Sequence, residues 1–350
     1  MSNFYTLFQI GWQSFFQQQL TLEEWESLVI ARVVSQQRSV LQVLTEQGKQ
    51  SLDLTPNMPV MTVGDWLLLE HDANGSVKFI RLLERLSLFS RKAAGSKVAT
   101  QLIAANIDTV FIVCSLNQDF NLNRIERYLA LANEAGVEPL VVLSKADCCE
   151  NPEHYLLQLQ SLDPMLMVFT VNGLDPSSVN QLQPWCCEGK TVALLGSSGV
   201  GKSTLINTLS GDLAQQTQAV RSDDDKGRHT TTGRSLHMLS SGGLLLDTPG
   251  MRELQLSHCE QGVNETFSEI SELASRCKFA DCQHENEPGC AVRAAIDKGE
   301  LQERRLSSYL KLMREQAYNT ATLAEKRAKE RNLSRLYRSV QSEKQHLKKE

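Results

Sequence analysis

A glycine-rich segment in the second half of the chain has the residue types and spacing of a phosphate-binding loop. It matches the pattern GxxxxGK[S/T] in full and lies between a segment typical of a strand and one typical of a helix. The backbone N–H groups of such loops curl around phosphates, Lys202 would reach the β- and γ-phosphates, and the Ser203 hydroxyl would bind Mg²⁺. The predicted nucleotide-binding residues here are Gly196, Ser197, Ser198, Gly199, Val200, Gly201, Lys202, Ser203 and Thr204.

The segment Asp247-Thr248-Pro249-Gly250 supplies an acidic group for the same site. It follows the apolar run 244–246, which is typical of a strand. We expect Asp247 to hold Mg²⁺ together with Ser203, directly or through water, and the N–H of Gly250 to meet the γ-phosphate. Alone this motif is weak, because Asp and Gly commonly end strands, but paired with the loop at 196–203 it strengthens the prediction of a nucleotide site.

A third motif, Ser144-Lys145-Ala146-Asp147, closes another apolar run and indicates which base is bound. Asp147 would accept hydrogen bonds from N1–H and N2–H₂ of guanine, a donor pair that adenine lacks, and Lys145 would pack its stem against the base and ribose. The usual GTPase motif has Asn or Thr where Ser144 stands, so the match is imperfect. An ordinary turn at the end of a strand is the alternative.

The order of these motifs along the chain is itself informative. In ordinary GTPases the phosphate loop comes first and the guanine motif later. Here the guanine-like motif at 144–147 precedes the loop at 196–203, which precedes Asp247. This order predicts a circularly permuted GTPase core.

The segment 223–232, between the loop and Asp247, is rich in Gly, Asp and Thr and is predicted to be a switch that senses the γ-phosphate. One of Thr230, Thr231 or Thr232 would bind Mg²⁺, with Thr231 as the predicted residue. Ras-like enzymes orient the attacking water with Gln just after the DxxG motif, but Met251 stands there and cannot do so. His229 is the nearest substitute, an ordinary surface histidine being the alternative. The predicted catalytic residues are therefore His229, Lys202 and Thr231.

Four potential metal ligands lie close together further along the chain. Three sulfurs and one imidazole within 14 residues suit tetrahedral Zn²⁺, and four protein ligands leave no open position, so the predicted zinc is structural. Free thiols beside a surface histidine are the alternative. The predicted ligands are Cys277, Cys282, His284 and Cys290.

The patterns around these motifs predict three kinds of architecture. After a helical lead-in, short strand-like segments at 28–34, 39–44, 66–69 and 77–80, with turn signals between them, indicate a small barrel. From about residue 105 strands and helices alternate, which predicts an α/β domain with a largely parallel sheet. After about residue 256 the chain is predicted to be helical.

Charge and composition limit the classes of protein to which this chain can belong. The 350 residues carry a formal net charge of −5, but residues 304–350 hold 13 Lys or Arg and 5 Asp or Glu, a net of +8, and residues 78–97 hold six Lys or Arg and one Glu. These basic segments favour RNA binding, with a solvated helix face or linker as the alternative. No apolar run is long enough for a membrane helix, and without a signal-peptide pattern the nine cysteines indicate a reducing cytoplasm.

Taken together, the GSSGVGKS loop, the DTPG motif and the CxxxxCxHxxxxxC cluster in this order resemble the ribosome small-subunit-dependent GTPase A family (RsgA/YjeQ). The resemblance implies an N-terminal OB-fold β-barrel, an α/β circularly permuted P-loop GTPase domain and a C-terminal α-helical zinc-binding domain. The predicted boundaries are 1–27 for the lead-in, 28–95 for the barrel, 96–255 for the GTPase domain and 256–350 for the zinc domain with its basic tail.

The resemblance also implies a function. It implies binding of GTP or GDP with Mg²⁺ and one structural Zn²⁺, and hydrolysis of GTP that the small (30S) ribosomal subunit stimulates. The implied partners are that subunit and its 16S rRNA during late maturation, with no membrane partner, and the protein would act as a monomer. The alternatives are an ATP-using P-loop enzyme of unrelated role, such as a small kinase, and a nucleotide-gated RNA-binding scaffold with negligible turnover.

Overall fold

The computed structural model describes residues 4–37, 39–72, 76–92, 100–117, 119–211, 234–247 and 259–320. The chain begins with two short helices, α1 (Ser14–Gln17) and α2 (Leu22–Ser27). Helix α2 begins at a capping box, because the Thr21 hydroxyl accepts from the Glu24 N–H and the Glu24 carboxylate accepts from the Thr21 N–H. Within the described part of the chain, no helix is both long and apolar enough to cross a bilayer.

Five antiparallel strands follow and form the small barrel. Strand β1 pairs with β2 and β4, β2 pairs with β3, and β4 pairs with β5. The outer strands β3 and β5 lie side by side, which gives the partly open, five-stranded barrel of an OB fold. The strands are β1 (Val29–Gln36), β2 (Val40–Thr45), β3 (Gly48–Asp53), β4 (Trp66–His71) and β5 (Val77–Leu82).

An antiparallel hairpin, β6 (Leu88–Lys92) and β7 (Thr100–Ala105), leads from the barrel to the next domain. At this junction the Arg32 side chain of β1 is fully buried and donates to the carbonyl oxygens of Ile10 (2.7 Å) and Asn106 (2.8 Å). One guanidinium thus joins the N-terminal segment, the barrel and the entry to the α/β domain. Its burial lowers the pKa of Arg32 to about 10.

The α/β domain is built on a mixed sheet with the order β10-β9-β8-β11-β13-β12. All neighbours in it are parallel except β12 and β13, and β12 continues the sheet into the barrel by pairing with β1. The elements are β8 (Thr109–Ser115), α3 (Leu122–Glu134), β9 (Glu138–Ser144), α4 (Pro152–Gln160), β10 (Val168–Val171), α5 (Pro176–Val179), β11 (Thr191–Leu195), α6 (Lys202–Ser210), β12 (Arg234–Met238) and β13 (Leu244–Asp247).

Four further helices follow, and the first and the last of them contact α3. They are α7 (Glu260–Thr266), α8 (Ser268–Ala274), α9 (Ala291–Asp297) and α10 (Glu303–Thr320). A Cβ on Gly262 of α7 would lie 2.1 Å from the carbonyl oxygen of Ala130, so only glycine allows this close approach of α7 to α3. The helical region is therefore in direct contact with the α/β domain.

Candidate functional site

The predicted phosphate loop joins the end of β11 to the start of α6. Three of its glycines have positive φ, namely Gly196 (147°), Gly199 (82°) and Gly201 (93°). A Cβ on Gly196 would lie 2.3 Å from the carbonyl oxygen of Val113 on β8, so the chain can turn there only without a side chain. The strand, loop and helix thus have the arrangement that the sequence motif requires.

Lys202 lies at the start of α6 with its side chain directed back into the loop. Its Nζ donates to the carbonyl oxygens of Gly196 (2.7 Å) and Ser197, and the residue is buried. Ser203, the next residue, is exposed on the first turn of α6, and Thr204 follows it. An ammonium and an accessible hydroxyl therefore lie together at the mouth of the loop.

The guanine-like motif is bonded directly to the phosphate loop. Strand β9 ends at Ser144, whose hydroxyl donates to the carbonyl oxygen of Val200 (2.6 Å), and the Lys145 Nζ donates to that of Gly199 (2.9 Å). Lys145 adopts a left-handed conformation (φ 59°), and Asp147 follows, exposed in a short 3₁₀ turn. The Cys148 thiol donates to Asp147 Oδ2 (3.4 Å), a hydrogen bond that raises the pKa of Cys148.

The predicted magnesium ligand Asp247 is placed at the same edge of the sheet. Strand β13 runs parallel to β11 with Leu246 opposite Ala193, so the ends of the two strands lie together. The side chain of Asp247 lies outside the described residues, as do Gly250 and the switch residues His229 and Thr231. Their roles stay predictions.

Two contacts at the loop were not anticipated from the sequence. Arg124 Nη1, on α3, donates to Ser197 Oγ (2.7 Å), and Thr208 of α6 donates to the carbonyl oxygen of Gly173 (2.6 Å), just after β10. An arginine in the first turn of a helix gives no sequence signal of this kind, because most such arginines face solvent. The second contact joins the loop after β10 to α6.

The four predicted metal ligands are brought together in the helical region. Their donor atoms all lie within 4.8 Å of one another. The Sγ of Cys290 lies 3.4 Å from Nδ1 of His284 and 3.9 Å from the Sγ of Cys277. Three sulfurs and one imidazole nitrogen at this spacing fit a tetrahedral Zn²⁺, and all four positions would be protein ligands.

The surroundings of the cluster favour bound metal. The N–H groups of Ala291 and Arg293, at the start of α9, point at the Sγ atoms of Cys277 and Cys290 (both 3.4 Å). Such donors stabilise thiolates. Burial lowers the pKa of His284, which favours the neutral imidazole that binds metal, and Arg293 Nε holds the His284 carbonyl (2.7 Å).

The sheet order and the bonded motifs define the class of protein as a P-loop GTPase in which the guanine motif precedes the phosphate loop. Comparison with known proteins agrees. The family model described as RsgA GTPase matches residues 82–257. Two relatives named small ribosomal subunit biogenesis GTPase RsgA 2, from Vibrio parahaemolyticus and Vibrio vulnificus, are each 59% identical and cover 96% and 98% of this chain and 93% and 97% of their own.

A relative from Mesorhizobium japonicum named small ribosomal subunit biogenesis GTPase RsgA is 47% identical over 90% of this chain and 91% of its own. The solved structure of YjeQ from Thermotoga maritima matches with a TM-score of 0.61 and 25% identity, over 81% of this chain and 97% of that one. The structure of YloQ, described as a circularly permuted GTPase, matches with a TM-score of 0.60 and 23% identity, over 84% and 96%.

The chain therefore belongs to the RsgA GTPase family and is a GTP-hydrolysing enzyme of ribosome biogenesis. The predicted resemblance, the fold class and the enzyme class are confirmed. The family assignment also sets aside the ATP-using enzyme and the scaffold with negligible turnover that the sequence alone left open.

Proposed function

We propose that this GTPase binds the small (30S) ribosomal subunit and its 16S rRNA late in maturation, and that the subunit stimulates GTP hydrolysis. The observation that carries the proposal is the identity of 47–59% over at least 90% of the chain to relatives named for small-subunit biogenesis. The protein would act as a monomer on the subunit.

In the nucleotide site, Asp147 recognises guanine and Lys145 packs beside it. Lys202 turns from the loop carbonyls to the β- and γ-phosphates, and Ser203 and Asp247 hold Mg²⁺. The bonds from Ser144 and Lys145 to Val200 and Gly199 support this assignment, because they place the base-reading motif directly beside the loop. The experiment for this part is Lys202→Ala, which should abolish nucleotide binding.

Two outer domains would contact the RNA. The barrel, predicted at 28–95, and the zinc domain with its basic tail, predicted at 256–350, flank the GTPase domain at 96–255. A structural Zn²⁺ held by the four clustered ligands would fix the backbone between α8 and α9, a stretch without regular helix or strand.

The nucleotide state would control how the outer domain lies on the RNA. Gly250, the predicted contact of the γ-phosphate, comes only ten residues before α7, the first helix of the zinc-binding region. Loss of the γ-phosphate at the switch (222–233) and at Gly250 would therefore reposition that domain and its basic tail.

Co-sedimentation with purified small subunits tests this proposal. We expect the affinity with a non-hydrolysable GTP analogue to exceed that with GDP by about tenfold, within the range of ordinary allosteric coupling. The Lys202→Ala variant is the control, since it should bind the subunit equally under both conditions. Equal affinity of the native protein in the two nucleotide states would contradict nucleotide-controlled binding.

A further inference from the structure

Helix α3 holds one residue of the phosphate loop from outside the loop. Arg124 Nη1 lies 2.7 Å from Ser197 Oγ. Tyr128 is one helical turn further on the same face. Burial raises the pKa of Tyr128, and a hydrogen bond with the Ser197 side chain opposes that rise. Ser197 is thus hydrogen-bonded to Arg124, and Tyr128 lies near it on the same face of α3.

The Arg124 guanidinium is itself fixed in direction. Asn121 caps α3 by accepting from the Arg124 N–H (3.0 Å), and Asp119 Oδ1 accepts from Arg124 Nη1 (2.6 Å). This ion pair raises the pKa of Arg124. The other oxygen, Asp119 Oδ2, is buried and has no hydrogen-bond partner among the described residues, so the carboxylate depends on Arg124 for its compensation.

Ser197 also accepts from Lys202, through its carbonyl oxygen. When Lys202 turns to the phosphates, Ser197 loses that contact and keeps its side-chain bonds to α3. The side of the loop formed by Gly196 and Ser197 is where the Lys202 ammonium lies, and this ammonium serves the β- and γ-phosphates. The hydrogen bond from Arg124 of α3 to Ser197 therefore acts at the γ-phosphate end of the loop.

We propose that Arg124 is a positioning residue for GTP hydrolysis, which acts through Ser197 to hold the first half of the phosphate loop in place during phosphoryl transfer. The inference rests on the proposed role of residues 196–203 in phosphate binding. A loop that is held in advance stabilises charge developing on the γ-phosphate without reorganising, so the effect falls on turnover rather than on the binding of GDP.

Single-turnover hydrolysis and nucleotide binding of Arg124→Gln test the inference. We expect the hydrolysis rate to fall about tenfold, the effect of about one charge-assisted hydrogen bond, while the GDP dissociation constant stays within about twofold. Arg124→Lys should recover part of the rate, because its ammonium can still donate. Ser197→Ala should reproduce the loss of rate. The double variant should be no slower than either single variant, because both substitutions remove the same contact, the hydrogen bond between Arg124 and Ser197.

Arg127→Gln is the matched control, because Arg127 lies on the same helix and forms an ion pair with Glu315 whose exposure is close to that of the pair between Arg124 and Asp119, and we expect native rates. An unchanged rate in Arg124→Gln, additive losses in the double variant, or equal weakening of GDP and GTP binding would overturn the inference. Lys202→Ala distinguishes a failure of the Arg124 inference from a failure of the proposed function. Nucleotide binding that survives in Lys202→Ala would refute the assignment of residues 196–203 as the phosphate loop.

Discussion

The predicted guanine motif and the predicted phosphate loop are joined by two side chains. Ser144 and Lys145 donate to the carbonyl oxygens of consecutive loop residues, Val200 and Gly199. A change at either donor therefore alters the position of both Asp147 and the loop. Because Ser144 is buried against the loop, its short side chain is long enough for this contact, which accounts for a serine at a position where GTPases usually carry Asn or Thr.

Asp147→Asn should change the base that the protein prefers. The exposed carboxylate would accept from two donors of guanine, whereas an amide would donate and fit the carbonyl at C2 of xanthine. Loss of two charge-assisted hydrogen bonds should weaken GTP binding by at least about 100-fold and favour xanthosine triphosphate. Competition binding measures this, with the exposed Asp163→Asn as control. Retained preference for GTP in Asp147→Asn would refute the role of Asp147.

His229→Ala should separate binding from hydrolysis. If the imidazole orients the attacking water, its removal leaves the nucleotide contacts intact and slows subunit-stimulated hydrolysis by about 100-fold. His154→Ala, an exposed histidine on α4, is the control. Unchanged stimulated turnover in His229→Ala would exclude histidine as the group that positions water.

At the level of residues, the sequence predicted the loop, the guanine motif and the four metal ligands, because each has a fixed spacing. It did not predict Arg124, whose importance depends on a contact with Ser197 across 73 positions in the chain. Nor could the sequence tell that Ser144 reaches Val200, since the distance depends on how β9 packs beside the loop.

Helix α3 serves two neighbours through two of its faces. Arg124 and Tyr128 meet the phosphate loop. On another face Glu126, whose side chain has no exposed surface, accepts from Arg304 and Arg305 of the C-terminal helix α10. The helix therefore lies between the nucleotide site and the zinc-binding region, and both depend on its position.

Glu126→Gln should loosen the docking of α10 on α3. The amide cannot balance the buried Arg305, which keeps Glu269 (2.6 Å) as its remaining carboxylate partner, so we expect a loss of about 3 kcal/mol in the free energy of unfolding. Glu303→Gln, which breaks an exposed pair between the start of α10 and Arg293 of α9, should cost no more than about 1 kcal/mol. Urea unfolding measures both losses. Equal losses in the two variants would contradict the role of Glu126 in docking α10 on α3.

Cys290→Ser should remove the metal and leave the nucleotide site intact. Cys290 caps α9 and lies within 4 Å of Cys277 and His284, so its replacement leaves three of the predicted ligands, while the serine hydroxyl can still cap the helix. We expect zinc content to fall from about one ion per chain towards zero and small-subunit binding to drop, with GTP binding unchanged. Cys187→Ser, at an exposed free thiol, is the control. Full zinc content in Cys290→Ser would refute the assigned ligand set.

Strands that consist of a continuous apolar run were predicted correctly, whereas strands with a weak hydrophobic pattern were missed. The strands β8, β9, β11 and β13 are continuous apolar runs and were found. Strands β3 and β12 have polar residues at most positions, and the hairpin β6–β7 mixes polar and apolar residues without a clear pattern, so these strands are defined by their pairing. Strand β10 begins only at Val168, because Asp163 Oδ1 accepts from the Met165 N–H and forms a turn before it.

At the scale of the whole molecule, the barrel and the α/β domain share one continuous sheet. Strand β12 extends the sheet of the α/β domain into the barrel through Ser35 and Ser235, and Arg32 joins three segments at the same junction. The sequence predicted separate barrel and GTPase domains but not this shared sheet, because pairing across about 200 positions leaves no local pattern. A rigid junction of this kind would place the barrel at a set orientation to the nucleotide site.

We expect hydrolysis of GTP by this protein to depend on the small ribosomal subunit. It is tested by measuring GTP turnover with purified small subunits, with large subunits and with neither. We expect turnover at least about tenfold faster with small subunits than under the other two conditions. The same rate under all three conditions, or stimulation by large subunits alone, would contradict this dependence on the small subunit.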